Sequence, residues 1–112
     1  MTYQIYARIM NLIVHFELKN FDLVESDIRG LDYFVRKNRV QFKFIRYMLK
    51  FFKTIISSHN RFEESIKELG DALLPLTEIP AERIYMYDVI ESGWLQQKGL
   101  QIRLPSVRPM VM

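Results

Sequence analysis

The sequence predicts an all-α domain of about five antiparallel helices. Apolar residues recur at steps of three and four along most of the chain, which is the helical period. The chain has only four glycines and four prolines, fewer turn formers than a strand-and-turn protein needs. Its 112 residues and 49% hydrophobic content correspond to one domain with a substantial core. We assign the helical pattern to residues 1–99, as a single domain.

The first predicted helix covers residues 3–19. Its apolar face is wide, because Tyr3, Tyr6 and Met10 extend it beyond the roughly 100° that one neighbour would cover. We therefore expect packing partners on more than one side and predict self-association through this helix. The expected inward residues are Ile5, Ile9, Leu12, Ile13 and Phe16.

The second predicted helix covers residues 23–37. Asp22 and Glu25 have the spacing of a capping box at its start, and Asn38 is a candidate left-handed stop at its end. Gly30 lies in mid-helix, where it costs about 1 kcal/mol relative to Ala, so we expect a close helix crossing there. The expected inward residues are Val24, Ile28, Leu31, Phe34 and Val35.

The third predicted helix covers residues 40–58 and separates aromatic from basic residues. Lys43, Arg46, Lys50 and Lys53 step by three, four and three, so they share one outward stripe. Phe51, like Phe42, flanks the inward set and is expected to be half exposed. The expected inward residues are Phe44, Ile45, Met48, Leu49, Phe52, Ile55 and Ile56.

A fourth helix is predicted to open with a capping box of Asn60 and Glu63 and to end at Leu74-Pro75. Its expected inward residues are Phe62, Ile66, Leu69 and Leu73.

A fifth helix is predicted from Pro80 to Gly99. The tail, residues 100–112, has no period and contains two prolines, so it is expected to be extended or disordered. The residues expected to face inward from the fifth helix are Ile84, Tyr87, Ile90, Trp94 and Leu95.

The charge distribution marks the third helix as the candidate binding surface. Residues 33–62 contain eight Lys or Arg and no acidic residue, although the whole chain carries only +3. Three interpretations are open: a solvated face paired with the acidic stretch 63–71, a surface for an acidic protein or peptide, or a surface for nucleic acid or anionic lipid. The inward aromatics disfavour nucleic acid, because base stacking needs rings beside the charge. The candidate residues are Arg39, Lys43, Arg46, Lys50 and Lys53.

The sequence indicates no catalytic, metal or cofactor site. It has no cysteine, and no glycine-rich phosphate loop. His15 and His59 lie 44 positions apart and are expected to be solvated or capping. We also expect ordinary surface charge from the carboxylates Glu63, Glu64, Glu68 and Asp71.

The N-terminus does not have the pattern of a signal peptide, and no apolar run approaches the ~18 residues of a membrane span. The expected location is cytoplasmic.

Two segments resemble tetratricopeptide-type helical hairpins: FELKNFDLVESDIRGLDYFVRKN at 16–38 and FIRYMLKFFKTIISSHNR at 44–61. The turn at Asn20-Phe21-Asp22 occupies the place of the Gly-x-Tyr of those repeats, whereas Leu23, Val24 and Gly30 replace their usual small residues.

Residues 14–98 contain, in order, a helix that ends in FVRKNR, a basic FIRYMLKFFK helix, an acidic ELGDALLPL helix, and a closing helix with Tyr87-Asp88 and Trp94-Leu95. This order is similar to the C-terminal region of long tetratricopeptide-like proteins of Bacteroidetes-type bacteria, a family with no assigned activity. The pattern around Ser92-Gly93 and the tail depart from it. The resemblance implies a tetratricopeptide-like α-solenoid cap whose first helix stacks on a preceding repeat.

The predicted function is that of a non-enzymatic helical-repeat module that mediates protein–protein interaction or caps a larger solenoid. Its partner would be another protein, the preceding helical repeats, or a second copy bound through the N-terminal helix. The alternative is a basic helical domain that binds nucleic acid or an anionic membrane surface.

Overall fold

The computed structural model describes residues 2–58, 61–91 and 93–99. Those residues contain no strand, so the predicted all-α class is confirmed. The tail at 100–112, and the expectation about it, lie outside the described residues. The helices are α1 (Thr2–Glu17), α2 (Phe21–Lys37), α3 (Lys43–Ser57), α4 (Phe62–Leu73), a 3₁₀ helix (Leu74–Glu78), α5 (Pro80–Glu91) and α6 (Trp94–Gln97).

Helices α1 and α2 form the first hairpin, and α5 also packs against α1. The expectation that α1 needs more than one partner is therefore confirmed. Val14 on α1 and Leu18 just after its end remain 48% and 64% exposed, and self-association through α1 stays a prediction. The buried residues of this hairpin are Ile5, Ile9, Leu12, Ile13, Val24, Ile28, Leu31 and Val35.

Polar contacts also join α1 to α2. His15 Nδ1 lies 2.5 Å from Asp27 Oδ2, so this histidine links two helices instead of being only solvated. The Arg8 guanidinium lies over the Phe34 ring, 4.7 Å from its centroid. A Cβ on Gly30 would lie 3.7 Å from Arg8 Nη1, which is ordinary contact with a side chain and not a close backbone crossing.

The predicted capping residues are largely wrong. Helix α2 begins at Phe21, one residue before Asp22, and the side chain of its N-cap residue, Asn20, makes no capping hydrogen bond. At its other end Asn38 has a φ of −97°, and the left-handed residue is Arg39 with a φ of 54°. Asn38 instead donates its side-chain amide to the Phe34 carbonyl at 2.9 Å, which satisfies a last-turn acceptor directly. Asn60, of the other predicted capping box, lies outside the described residues.

The second hairpin, α3 with α4, follows the predicted helical phase apart from Phe51, expected half exposed but only 4% exposed. It is buried because its ring packs against Phe62 and Trp94, at centroid distances of 6.0 and 6.1 Å. The other buried residues of α3 are Phe44, Ile45, Met48, Leu49, Phe52 and Ile55, whereas Ile56 is half-buried.

The predicted fifth helix is two helices. Gly93 has a φ of 81°, a left-handed conformation that interrupts the helix before Trp94. Gly99, with a φ of 97°, follows the end of α6 as predicted. Trp94 and Leu95 are buried as expected, whereas the side chains of Ile84, Tyr87 and Ile90 lie outside the description.

Helix α5 closes the molecule by packing on both α1 and α3. In a linear repeat array each repeat contacts only its neighbours. The contact of α5 with α1 joins elements that are not neighbours in such an array. The solenoid character of the chain stays a prediction.

Candidate binding surface on the third helix

The basic residues of α3 form an exposed stripe on the side opposite its aromatic residues. We call Arg39, Lys43, Arg46, Lys50 and Lys53 the cation stripe. All five are exposed; Arg39 lies in the connection before α3, and the others lie on the helix itself. Phe44 and Phe52 are fully buried on the other side. The separation of faces predicted from the helical period is therefore correct.

One carboxylate of α2 reaches the cation stripe. Asp32 Oδ2 lies 3.6 Å from both Lys53 Nζ and Arg36 Nη2. Two cations share this single carboxylate, and Lys53 remains 52% exposed. The stripe is therefore only partly neutralised from α2.

The acidic helix α4 does not neutralise the cation stripe by direct pairing. In the described part of the chain, no ion pair joins Lys43, Arg46, Lys50 or Lys53 to the carboxylates of residues 63–71. Glu64 instead pairs with Arg61 at 2.6 Å. These carboxylates are exposed on α4, as the sequence predicted.

A buried carboxylate from α5 holds the start of α3. Glu82 Oε2 accepts from the Lys43 backbone N–H at 2.9 Å, and Oε1 accepts from the Phe44 N–H at 3.0 Å. Glu82 is only 7% exposed. It serves as an N-cap supplied by another helix, since Phe42 at the cap position has no side-chain acceptor.

Sequence reasoning missed this cap, although a signal for it exists. The first amides of a helix need acceptors, and residues 33–62 offer no carboxylate at all. A carboxylate acceptor for these amides therefore had to come from a distant part of the chain.

A groove of about 270 Å³ lies between α3 and α4, beside the cation stripe. Lys50 and Glu68 stand on opposite walls and are not joined in an ion pair. Ser65 is 4% exposed, and its Oγ has no hydrogen-bond partner among the described residues. The lining is completed by apolar residues and two hydroxyl-bearing ones: Phe51, Leu69, Ala72, Tyr47 and Thr54.

Ser65 was also missed, and its position carried the signal. It lies three residues after Phe62 and four before Leu69, both assigned to the apolar face of α4. A polar side chain on an apolar face either forms a hydrogen bond within the protein or is a candidate to form one with a ligand.

A second depression, of about 250 Å³, lies where α1 meets α6. Glu17 Oε2 accepts from Trp94 Nε1 at 2.8 Å and lies 2.7 Å from Lys98 Nζ. Burial of Glu17 opposes its ionisation, but the hydrogen bonds from Lys98 and Trp94, with the charge of Lys98, outweigh burial and lower the pKa of Glu17.

The described residues contain no cluster of three or more His, Asp or Glu placed to hold a metal ion. His59 lies outside them. Across the same part of the chain, every helix is too short or too polar to cross a bilayer.

Comparison of the chain with protein-family models, curated proteins and solved structures gives no match. The functional conclusion therefore depends on the fold and on the chemistry of the surface.

Proposed function

We propose that this chain is a non-enzymatic interaction module that binds an acidic segment of a partner protein through the cation stripe. One observation carries the proposal: the stripe stays exposed and is not paired with the acidic helix beside it in the described residues. Charges of one sign on a surface attract and orient a partner of opposite sign.

The burial of the α3 aromatics favours an acidic protein over nucleic acid. Phe44 and Phe52 are fully buried in the core, so they offer no stacking platform beside the cations. The same burial leaves this face without the large apolar residues that a helix inserts into a membrane interface. Nucleic acid and anionic membrane remain the alternative partners in the test below.

The tetratricopeptide resemblance is part of this proposal. Helical-repeat proteins present extended surfaces to protein partners, and the two stacked hairpins of this chain are compatible with that use. The position as a solenoid cap is proposed on the resemblance alone.

The test compares three probes at about 0.15 M salt, where exposed charges are screened beyond ~8 Å. The probes are a glutamate-rich peptide, a single-stranded oligonucleotide and anionic lipid vesicles. We expect the peptide to bind most tightly. Stronger binding of the oligonucleotide or the vesicles would replace this proposal with the alternative, and no peptide binding would overturn it.

Two matched variants locate the binding. Arg46→Ala removes a cation from the stripe, and Lys67→Ala removes an exposed cation from α4. Because Ala is a good helix former, neither change should disturb its helix. We expect peptide binding to weaken about threefold to fivefold for Arg46→Ala, from the ~1 kcal/mol of an exposed charge pair, and to change little for Lys67→Ala. Equal weakening would show that only net charge matters.

A further inference from the structure

We infer that the groove between α3 and α4 receives a tyrosine side chain from the acidic segment that the cation stripe binds. This inference rests on the proposed function and names the residue that anchors the partner. Interfaces commonly depend on one large aromatic anchor in a pocket, surrounded by contacts of smaller effect.

The shape and lining of the groove suit an aromatic ring. Phe51, Leu69 and Ala72 give it apolar surface, and its volume of about 270 Å³ is close to the lower limit of ligand pockets. An aliphatic or aromatic group would bury its surface there. Apolar contact alone does not distinguish tyrosine from phenylalanine.

Ser65 supplies that distinction. Its hydroxyl is buried in a groove-lining residue and has no partner among the described residues, a state that costs free energy. A phenol can both donate to and accept from a serine hydroxyl. A tyrosine whose phenol displaces the side chains that cover this buried hydroxyl satisfies Ser65 while its ring contacts the apolar lining, which phenylalanine cannot do.

The charges on the two walls orient the occupant. Lys50 lies on the α3 wall and belongs to the cation stripe, whereas Glu68 lies on the α4 wall. Carboxylates that flank the tyrosine are attracted toward α3 and repelled from α4. The acidic residues of the partner should therefore lie on the α3 side of its tyrosine.

The experiment measures the affinity of two glutamate-rich peptides that differ only in a central Tyr or Phe. Each is titrated against the wild-type chain and against Ser65→Ala. We expect the wild type to prefer the Tyr peptide by about fivefold to tenfold, the usual effect of one hydrogen bond. The preference should fall to nearly one in Ser65→Ala, which completes a double-mutant cycle.

A second variant keeps the test independent of effects on folding. Ala72→Leu places a larger side chain in the groove and should weaken both aromatic peptides to the affinity of a matched peptide with Ala at the centre. That Ala peptide should bind Ala72→Leu and the wild type equally, because the cation stripe is unchanged. Urea unfolding and circular dichroism of each variant verify the fold.

The outcomes separate the two proposals. If both aromatic peptides bind the wild type equally, or Ser65→Ala keeps the preference for Tyr, the tyrosine anchor is wrong while the acidic-partner proposal stands. If no acidic peptide binds, both fail. If the protein instead dimerises without peptide and Ala72→Leu abolishes the dimer, the groove receives a second copy of this chain, and the inference is overturned.

Discussion

Two surface cations adopt backbone conformations that ordinarily belong to glycine. Lys19 has a φ of 61° in the connection before α2, and Arg39 has a φ of 54° in the connection after it. A residue with a side chain loses roughly 1–2 kcal/mol in this left-handed region. Such strain persists where the surroundings enforce it and often accompanies function. Arg39 belongs to the cation stripe, whereas Lys19 lies at the other end of α2.

Substitution of each by glycine tests two points: whether the left-handed backbone is strained, and whether the Arg39 cation belongs to the binding surface. Arg39→Gly and Lys19→Gly should both raise the free energy of unfolding, by about 0.5–1 kcal/mol after the entropy of glycine in the unfolded chain is included. Only Arg39→Gly should weaken binding of the glutamate-rich peptide. Urea unfolding and peptide titration measure the two effects. Equal peptide affinity in both variants would remove Arg39 from the binding surface.

At the level of elements, α3 depends on α5 for its first turn. The Glu82 carboxylate accepts from two consecutive backbone amides of α3 and is buried while doing so. Burial and charge strengthen such hydrogen bonds, and a lost acceptor leaves buried donors unsatisfied. The position of the cation stripe is therefore fixed by a residue that lies 39 positions away from Lys43 in the sequence.

Glu82→Gln removes the charge and one acceptor and keeps the size of the side chain. It should lower the free energy of unfolding by about 1–3 kcal/mol, because one amide of α3 would then face an NH₂ group. Glu78→Gln, at an exposed position in the preceding 3₁₀ helix, should change it by less than about 0.5 kcal/mol. Thermal and urea unfolding provide the comparison. A similarly small decrease in the free energy of unfolding in both variants would show that Glu82 does not cap α3.

Local periodicity accounts for what the sequence predicts well. The buried faces of α2 and α3 follow from residues three and four positions apart, and so does the outward direction of the cation stripe. Phe51, Glu82 and the groove depend on which helices meet, and a helical period contains no information on that. Gly30 illustrates the limit, since its neighbour is the Arg8 side chain and not a crossing backbone.

At the scale of the whole molecule, the last described residues return to the end of the first helix. Trp94 and Lys98, near its last residues, contact Glu17 at the end of α1. Aromatic rings pack around this contact, with Phe16 and Phe52 at centroid distances of 6.2 and 5.7 Å from Trp94. The radius of gyration of 13.7 Å is near the ~13 Å expected for a compact domain of this length. These contacts of Glu17 with Trp94 and Lys98, which we call the closure, therefore join the first hairpin to the last helix.

This closure should depend on pH through Glu17. Its pKa is lowered in the folded chain, so its contribution to stability is present above the ordinary value of 4.5 and is lost as the pH falls through the folded pKa. Glu17→Gln keeps an acceptor for Trp94 but loses the charge that faces Lys98. At neutral pH this variant should be less stable by up to about 1 kcal/mol, and the difference should shrink below pH 4.5.

Unfolding followed by the fluorescence of Trp94, the one tryptophan of the chain, measures this difference at each pH. Glu78→Gln, at an exposed position at the end of the 3₁₀ helix, is the control and should show no such trend. A difference between wild type and Glu17→Gln that is constant from pH 7 to pH 3 would mean that the Glu17 charge does not stabilise the closure.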